Sequence, residues 1–173
     1  MRYFFMCAIL LCLGACTKNT NQIGEVDAYV PIYGNVGDLK VITQQTPKPI
    51  VKGGKIAVIG NHLFQVESGE GIHVIDISNP IIPRKISFLR IPLCNEVTLR
   101  GNFLYTNNVS DLVTLNISDI NNITTASRII NAFPNMQTQY PPQTNVYFEC
   151  ADINKGMVIG WELKKVNNPK CRR

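Results

Sequence analysis

Two stretches of this chain repeat the same succession of turn formers and short apolar runs about 41 residues apart, and that spacing limits the fold more than any other feature. Gly60-Asn61-His62-Leu63-Phe64 aligns with Gly101-Asn102-Phe103-Leu104-Tyr105, and Ile72-His73-Val74-Ile75-Asp76-Ile77-Ser78 aligns with Leu112-Val113-Thr114-Leu115-Asn116-Ile117-Ser118 after a gap of one residue. Within the first copy, Ile56 to Ile59, His62 to Glu67, Ile72 to Ile77 and Lys85 to Ile91 are strand-length runs. They are separated by Gly60-Asn61, by Ser68-Gly69-Glu70-Gly71 and by Ser78-Asn79-Pro80. Four such runs predict a four-stranded antiparallel meander. Alternation puts Ile72, Val74 and Asp76 on one side and His73, Ile75 and Ile77 on the other, so both faces are largely apolar and both call for a neighbour. A third copy begins at Asn145-Val146-Tyr147-Phe148-Glu149 and continues through Gly156-Met157-Val158-Ile159-Gly160-Trp161-Glu162.

A period of this length holding four short strands is the signature of a propeller blade. The string Gly71-Ile72-His73-Val74-Ile75-Asp76-Ile77-Ser78-Asn79-Pro80-Ile81-Ile82-Pro83 resembles the LVIVD repeat, a β-propeller repeat of exported bacterial and archaeal proteins. The second copy departs from the pattern, with Asn116 in place of the aspartate and Ile120 and Ile123 in place of the prolines; the third departs at Gly160-Trp161-Glu162. The resemblance covers about residues 55–165. It implies an all-β chain with a partial propeller of two to three four-stranded antiparallel blades, at 55–95, 96–135 and, in part, 136–165. It attaches no catalytic residue to the motif. Physically, Gly71 supplies backbone freedom for a tight turn, and Asp76 and Ser78 close the next turn by bonding backbone amides.

Ahead of the repeats stands a leader. Met1-Arg2 precedes an apolar run from Tyr3 to Leu13, then Leu13-Gly14-Ala15-Cys16. A basic start, an apolar core of about a dozen residues and small residues before a cleavage point form an export signal. The run is too short to span a bilayer, which needs about 20 apolar residues. Small residues leading into a cysteine resemble the lipobox of bacterial lipoproteins. That resemblance implies a signal peptide at 1–15, acylation of Cys16 and a membrane anchor in the cell envelope. By resemblance to lipoprotein sorting rules, Thr17 rather than Asp after Cys16 implies the outer membrane. Residues 17–30 read as a polar tether and 31–55, rich in Pro and Gly, as short extended pieces at most, so 16–54 is a lipid-anchored lead-in. Residues 166–173 read as a polar tail that stops before another blade.

Propellers close with 4–8 blades, and this chain holds too few. At least one apolar blade face therefore lacks an intrachain partner. Three expectations follow: a truncated copy of a longer product, a ring completed by another chain, or a cap formed by residues 124–173.

The chain carries 17 basic and 12 acidic side chains for a formal net charge of +5, with the basic residues scattered. Nucleic-acid binding needs a concentrated basic face with aromatic platforms, so that class is set aside. Besides Cys16, the cysteines after the leader are Cys94, Cys150 and Cys171. Cys94–Cys150 is the first pairing to test; the alternative keeps both as small buried apolar residues with Cys171 on an exposed tail. No spacing predicts a metal site or a cofactor. His62 and His73 lie on adjacent strands without a third ligand, and a surface or partly buried position is expected for them. Glu67, Glu70, Asp111 and Asp152 read as solvated turn carboxylates. No nucleophile elbow or phosphate loop occurs. Tyr140 and Trp161 are the candidate binding residues, Tyr140 in the exposed Met136 to Pro142 loop. The resulting expectation is a non-catalytic envelope module that binds a protein, peptide or glycan; the alternatives are an enzyme or accessory subunit with its site at the propeller mouth, or a gene remnant.

Overall fold

The computed structural model describes residues 23–134 and 139–173. Among these residues the chain is all-β, with thirteen strands in three sheets.

The first repeat folds as β3 (Gly53–Ile59), β4 (His62–Glu67), β5 (Gly71–Asp76) and β6 (Arg84–Arg90), an antiparallel meander in chain order. A short strand β2 (Thr43–Gln45) is added at the β6 edge. The second repeat gives β7 (Thr98–Arg100), β8 (Phe103–Asn108), β9 (Asp111–Asn116) and β10 (Thr124–Ile129), again a meander. Strand β5 is buried along nearly its whole length, as the two apolar faces of its sequence require.

The turn chemistry repeats with the strands. Asp76 Oδ1 accepts from the Ser78 amide at 2.9 Å, and Asn116 Oδ1 accepts from the Ser118 amide at 3.0 Å. The amide oxygen of Asn116 thus preserves the bond that the lost aspartate makes in the first copy. Gly71 sits at φ +154°, and a Cβ there would lie 1.9 Å from the Leu89 carbonyl oxygen. Glycine is required by the close approach of β6 as well as by the turn.

The core lies between the two repeat sheets. Phe64, Val66, Ile72 and Val74 of the first sheet pack with Leu104, Val113 and Leu115 of the second, and Ile91, Cys94 and Val97 fill the connection between them.

Three expectations are corrected at the chain ends. Residues 25–34 are not tether but strand β1 (Glu25–Gly34), and a short helix α1 (Val36–Leu39), capped by the Asn35 side chain, follows. The third copy is not a meander. Strand β11 (Tyr147–Phe148) and strand β12 (Met157–Asn167) share a sheet, but β1 lies between them, antiparallel to β12 and parallel to β11. The polar tail is strand β13 (Cys171–Arg172), which closes that sheet against β11. Residues 124–129 complete the second repeat sheet and the later strands build this third sheet, so 124–173 is not one cap.

The N-terminal segment is fastened to the second repeat sheet by an ionic cluster around one buried carboxylate, its two cations partly exposed. Asp111 is fully buried, with Arg128 Nη1 at 2.9 Å and Lys40 Nζ at 3.1 Å. Arg128 also donates to the Lys40 carbonyl oxygen, and Asn108 Nδ2 donates to that of Leu39. Burial pushes the Asp111 carboxyl up, but the Asn131 amide, Arg128 and Lys40 hold it below its ordinary value.

Candidate functional site

The third sheet joins segments more than a hundred residues apart, and its geometry makes a groove. Strand β11 is short because the chain leaves it at Glu149, makes the 3-10 turn Ile153–Lys155 and returns as β12. Asp152 caps that turn, accepting the Asn154 amide at 3.0 Å, while its own amide donates to the Tyr33 hydroxyl at 2.7 Å. At Gly156, φ +113°, a Cβ would stand 2.8 Å from the Gly34 carbonyl oxygen, so glycine lets the start of β12 close on the end of β1.

Cys150 and Cys171 are joined in a disulfide with Cα atoms 5.3 Å apart. This corrects the expected Cys94–Cys150 pairing and also the alternative with Cys171 free. Phe148 stands opposite Cys171 in the ladder, so the bridge fastens the end of β11 to β13. Further contacts hold the C-terminus in place. The Arg173 amide donates to the Val146 carbonyl oxygen at 3.0 Å, its guanidinium donates to the Pro141 carbonyl oxygen, and Arg172 lies over the Tyr147 ring.

The resulting groove has a volume of about 460 Å³ and is walled by Tyr140, Phe148, the Cys150–Cys171 bridge, Ile153, Met157 and Val158. Phe148 meets Tyr140 edge to face at 6.2 Å and Trp161 at 5.5 Å. The two residues singled out from the sequence are therefore linked through one buried phenylalanine; Tyr140 lines the groove and Trp161 backs its wall. Ile153 projects from the rim, 91 % exposed. Ile153, Met157 and the bridge carry little local signal, because all depend on β1 inserting between distant strands.

The histidines and carboxylates of the repeat sheets are held by ladder positions, hydrogen bonds and ion pairs. His62 pairs with Asp76 in the ladder and His73 with Gln65, so the two imidazoles are not neighbours. His73 is fully buried rather than superficial, and its Nε2 lies 2.9 Å from Glu67. Glu67 is buried too, and it accepts from the backbone amides of Val51 and Lys52. Burial alone would raise its pKa, but the bonds from His73, Lys52 and Val51 outweigh that and bring it down to about 2. Neither Glu67 nor Asp111 is the solvated turn residue expected. Glu70 is exposed and pairs with Lys48. Cys94 is buried against Thr106 at 3.0 Å, and burial pushes its thiol up to about 11, far from a reactive thiolate. Among the described residues no group of three His, Cys, Asp or Glu side chains is placed to hold a metal, and no helix is long and apolar enough to cross a membrane.

These sheets define an all-β protein built in part from a short repeated unit. The LVIVD repeat family model matches residues 52–85, which take in β3, β4, β5 and the start of β6. Neither the curated proteins nor the solved structures offer a significant match.

Proposed function

We propose that this chain is a lipid-anchored protein of the bacterial envelope, acylated at Cys16 and held at the outer membrane. Its two repeat sheets are blades of an incomplete propeller, and its third sheet is a non-catalytic platform for an apolar side chain of a protein or peptide partner. The observation that carries this reading is the groove between Tyr140, Phe148, Ile153 and Met157. Its volume falls in the range of small-ligand sites, about 300–1,000 Å³, and its walls are largely apolar and aromatic, as such sites are. The carboxylate among its lining residues, Asp152, is engaged in capping the turn beneath it. The repeat match over 52–85 supports the propeller reading. The Cys150–Cys171 bridge supports export, since disulfides persist in oxidising compartments. Cys16 lies outside the described residues, and its role rests on the lipobox resemblance.

Trp161 is the sole tryptophan of the chain and touches the groove wall through Phe148. Its fluorescence therefore reports occupancy. Extended peptides carrying one bulky apolar residue in a polar background should change Trp161 emission saturably, and the same peptides with serine at that position should not. Ile153→Asp should abolish the change. A signal that ignores the apolar residue, or no signal from any such peptide, would refute the assignment.

A further inference from the structure

The joint between the two repeat sheets has a repeat image on each outer side of the pair. In the joint itself, Leu99 and Leu104 of the second sheet, with Val97 just ahead of it, pack in one cluster with Phe64, Ile72 and Val74 of the first. At the repeat offset, Val97, Leu99 and Leu104 correspond to Ile56, Val58 and Leu63. The register turns these three away from the core: Val58 pairs with Leu63, and Leu63 pairs with Ile75, on the side opposite Phe64 and Val74. Ile56 is 61 % and Val58 53 % exposed, and Leu63 is half-buried. On the same side His73, Ile75 and Phe88 are already buried, so the first sheet leaves open the β3–β4 part of the kind of face that the second sheet buries.

The second sheet shows the counterpart. Val74 corresponds to the polar Thr114, and Phe64 and Ile72 correspond to Tyr105 and Leu112. The register places both on the far side of that sheet, away from Leu104 and Leu115, with Phe103 beside them. Phe103 is 39 % exposed, and Tyr105 and Leu112 are half-buried, with Thr98 and Arg100 on the same face opposite Tyr105 and Phe103. The far side of the second sheet therefore repeats the aromatic and aliphatic pair of the covering face, with Thr98, Arg100 and Thr114 around it.

The connections entering the two sheets are also secured alike. The amides of Val51 and Lys52 bond Glu67 ahead of the first sheet, and those of Asn95 and Glu96 bond Asn107 Oδ1 ahead of the second, at 2.8 and 3.0 Å. The connection before β3 leaves the first sheet set up as the second is set up in a joint that is already packed.

We propose that the protein assembles head to tail with a second copy of itself, Phe103, Tyr105 and Leu112 of one protomer seated on Ile56, Val58 and Leu63 of the next. The joint continues the internal repeat contact across chains and is independent of the groove reading. Such a contact is heterologous, so it closes into a ring or extends into a filament.

The test uses the whole chain produced in a bacterial host, extracted in detergent, with protein mass measured by light scattering after subtraction of the detergent. The unaltered chain should associate, and Val58→Asp and Phe103→Glu should each reduce it to a single protomer. Mixing the two variants should restore a dimer and nothing larger, because each supplies one intact face. If either charge unfolds the chain by near-ultraviolet circular dichroism, Val58→Ser and Phe103→Ser read the same shift in mass. A protomer mass for the unaltered chain, or a mass insensitive to Phe103 while sensitive to Val58, would overturn the proposal.

Discussion

His73 Nε2 stands 2.9 Å from a carboxylate oxygen of Glu67, both side chains buried on the first repeat sheet. An ionised carboxylate only accepts hydrogen bonds, so Nε2 carries the proton, and Nδ1 has no hydrogen-bond partner among the described residues. Glu67 also takes the amides of Val51 and Lys52, which makes it the point where the connection before β3 is tied to the sheet. Glu67→Ala strands two amides and an imidazole in a buried site. It should lower stability by about 3 kcal/mol, read as a shift in urea unfolding. An unchanged midpoint would show that Glu67 does not fix this connection.

Acid should act through the same group. The folded-state pKa of Glu67, about 2, lies below its ordinary 4.5, so its contribution is present above 4.5 and is lost as pH falls toward 2. Asp111, also held low by its bonding partners, acts in the same direction. The urea midpoint should fall steadily through this window, and Glu67→Gln should flatten part of the fall. A midpoint independent of pH there would contradict these pairings.

Gly71 has no tolerable replacement. A Cβ at 1.9 Å from the Leu89 carbonyl oxygen cannot be relieved by a rotamer change, because the obstacle is backbone. Gly71→Ala should cost about 3 kcal/mol or more and reduce the yield of folded protein. Gly60→Ala, at φ +52° with nothing within 4 Å of the new Cβ, should do less harm. Equal losses at both positions would mean that φ, not the approach of β6, sets the requirement at Gly71.

Breaking the Cys150–Cys171 bridge should loosen the third sheet selectively. A closed loop of this length contributes about 3 kcal/mol. The bridged strands lie outside the hydrophobic cluster of the repeat sheets. In Cys150→Ser with Cys171→Ser, hydrogen exchange should quicken at Tyr147, Phe148 and Cys171 positions while the amides of Ile72 and Val74 keep their protection. Uniform loss of protection would show one cooperative unit rather than a separately fastened sheet.

What could be read from the sequence follows the range of the interactions. The two repeat sheets are hairpins of neighbouring runs, so turn residues and period sufficed to place β3 to β6, β8 and β9, while β7 and β10 lie outside the aligned strings. The Asp76 turn was legible because its partner is two residues away. The third sheet was not, because Glu25 to Gly34 pairs with residues far along the chain, and its local signals are a polar run before Pro31 and a Pro- and Gly-rich stretch from there on. Pro31 is accommodated because β11 pairs only with Ala28 and Tyr29, leaving β1 one ladder partner at that point. Glu67 and Asp111 were misread for the same reason: each borders a turn, yet each is buried by groups that come from another strand or from the lead-in. Tyr140 and Trp161 were recognisable as aromatic candidates, but Phe148, which joins them, sits on a two-residue strand that exists only through β1 and β13.

The groove is tested most directly in living cells. A photoreactive phenylalanine replacing Ile153, on the groove rim, is compared with one replacing Ile81, which is 87 % exposed in the loop between β5 and β6. Illumination should yield a discrete cross-linked protein from position 153 and none from position 81, and the adduct should disappear when Cys150 and Cys171 are both changed to serine. Equal yields at the two positions, or an adduct at 153 that survives loss of the bridge, would contradict the assignment of this groove as the binding site.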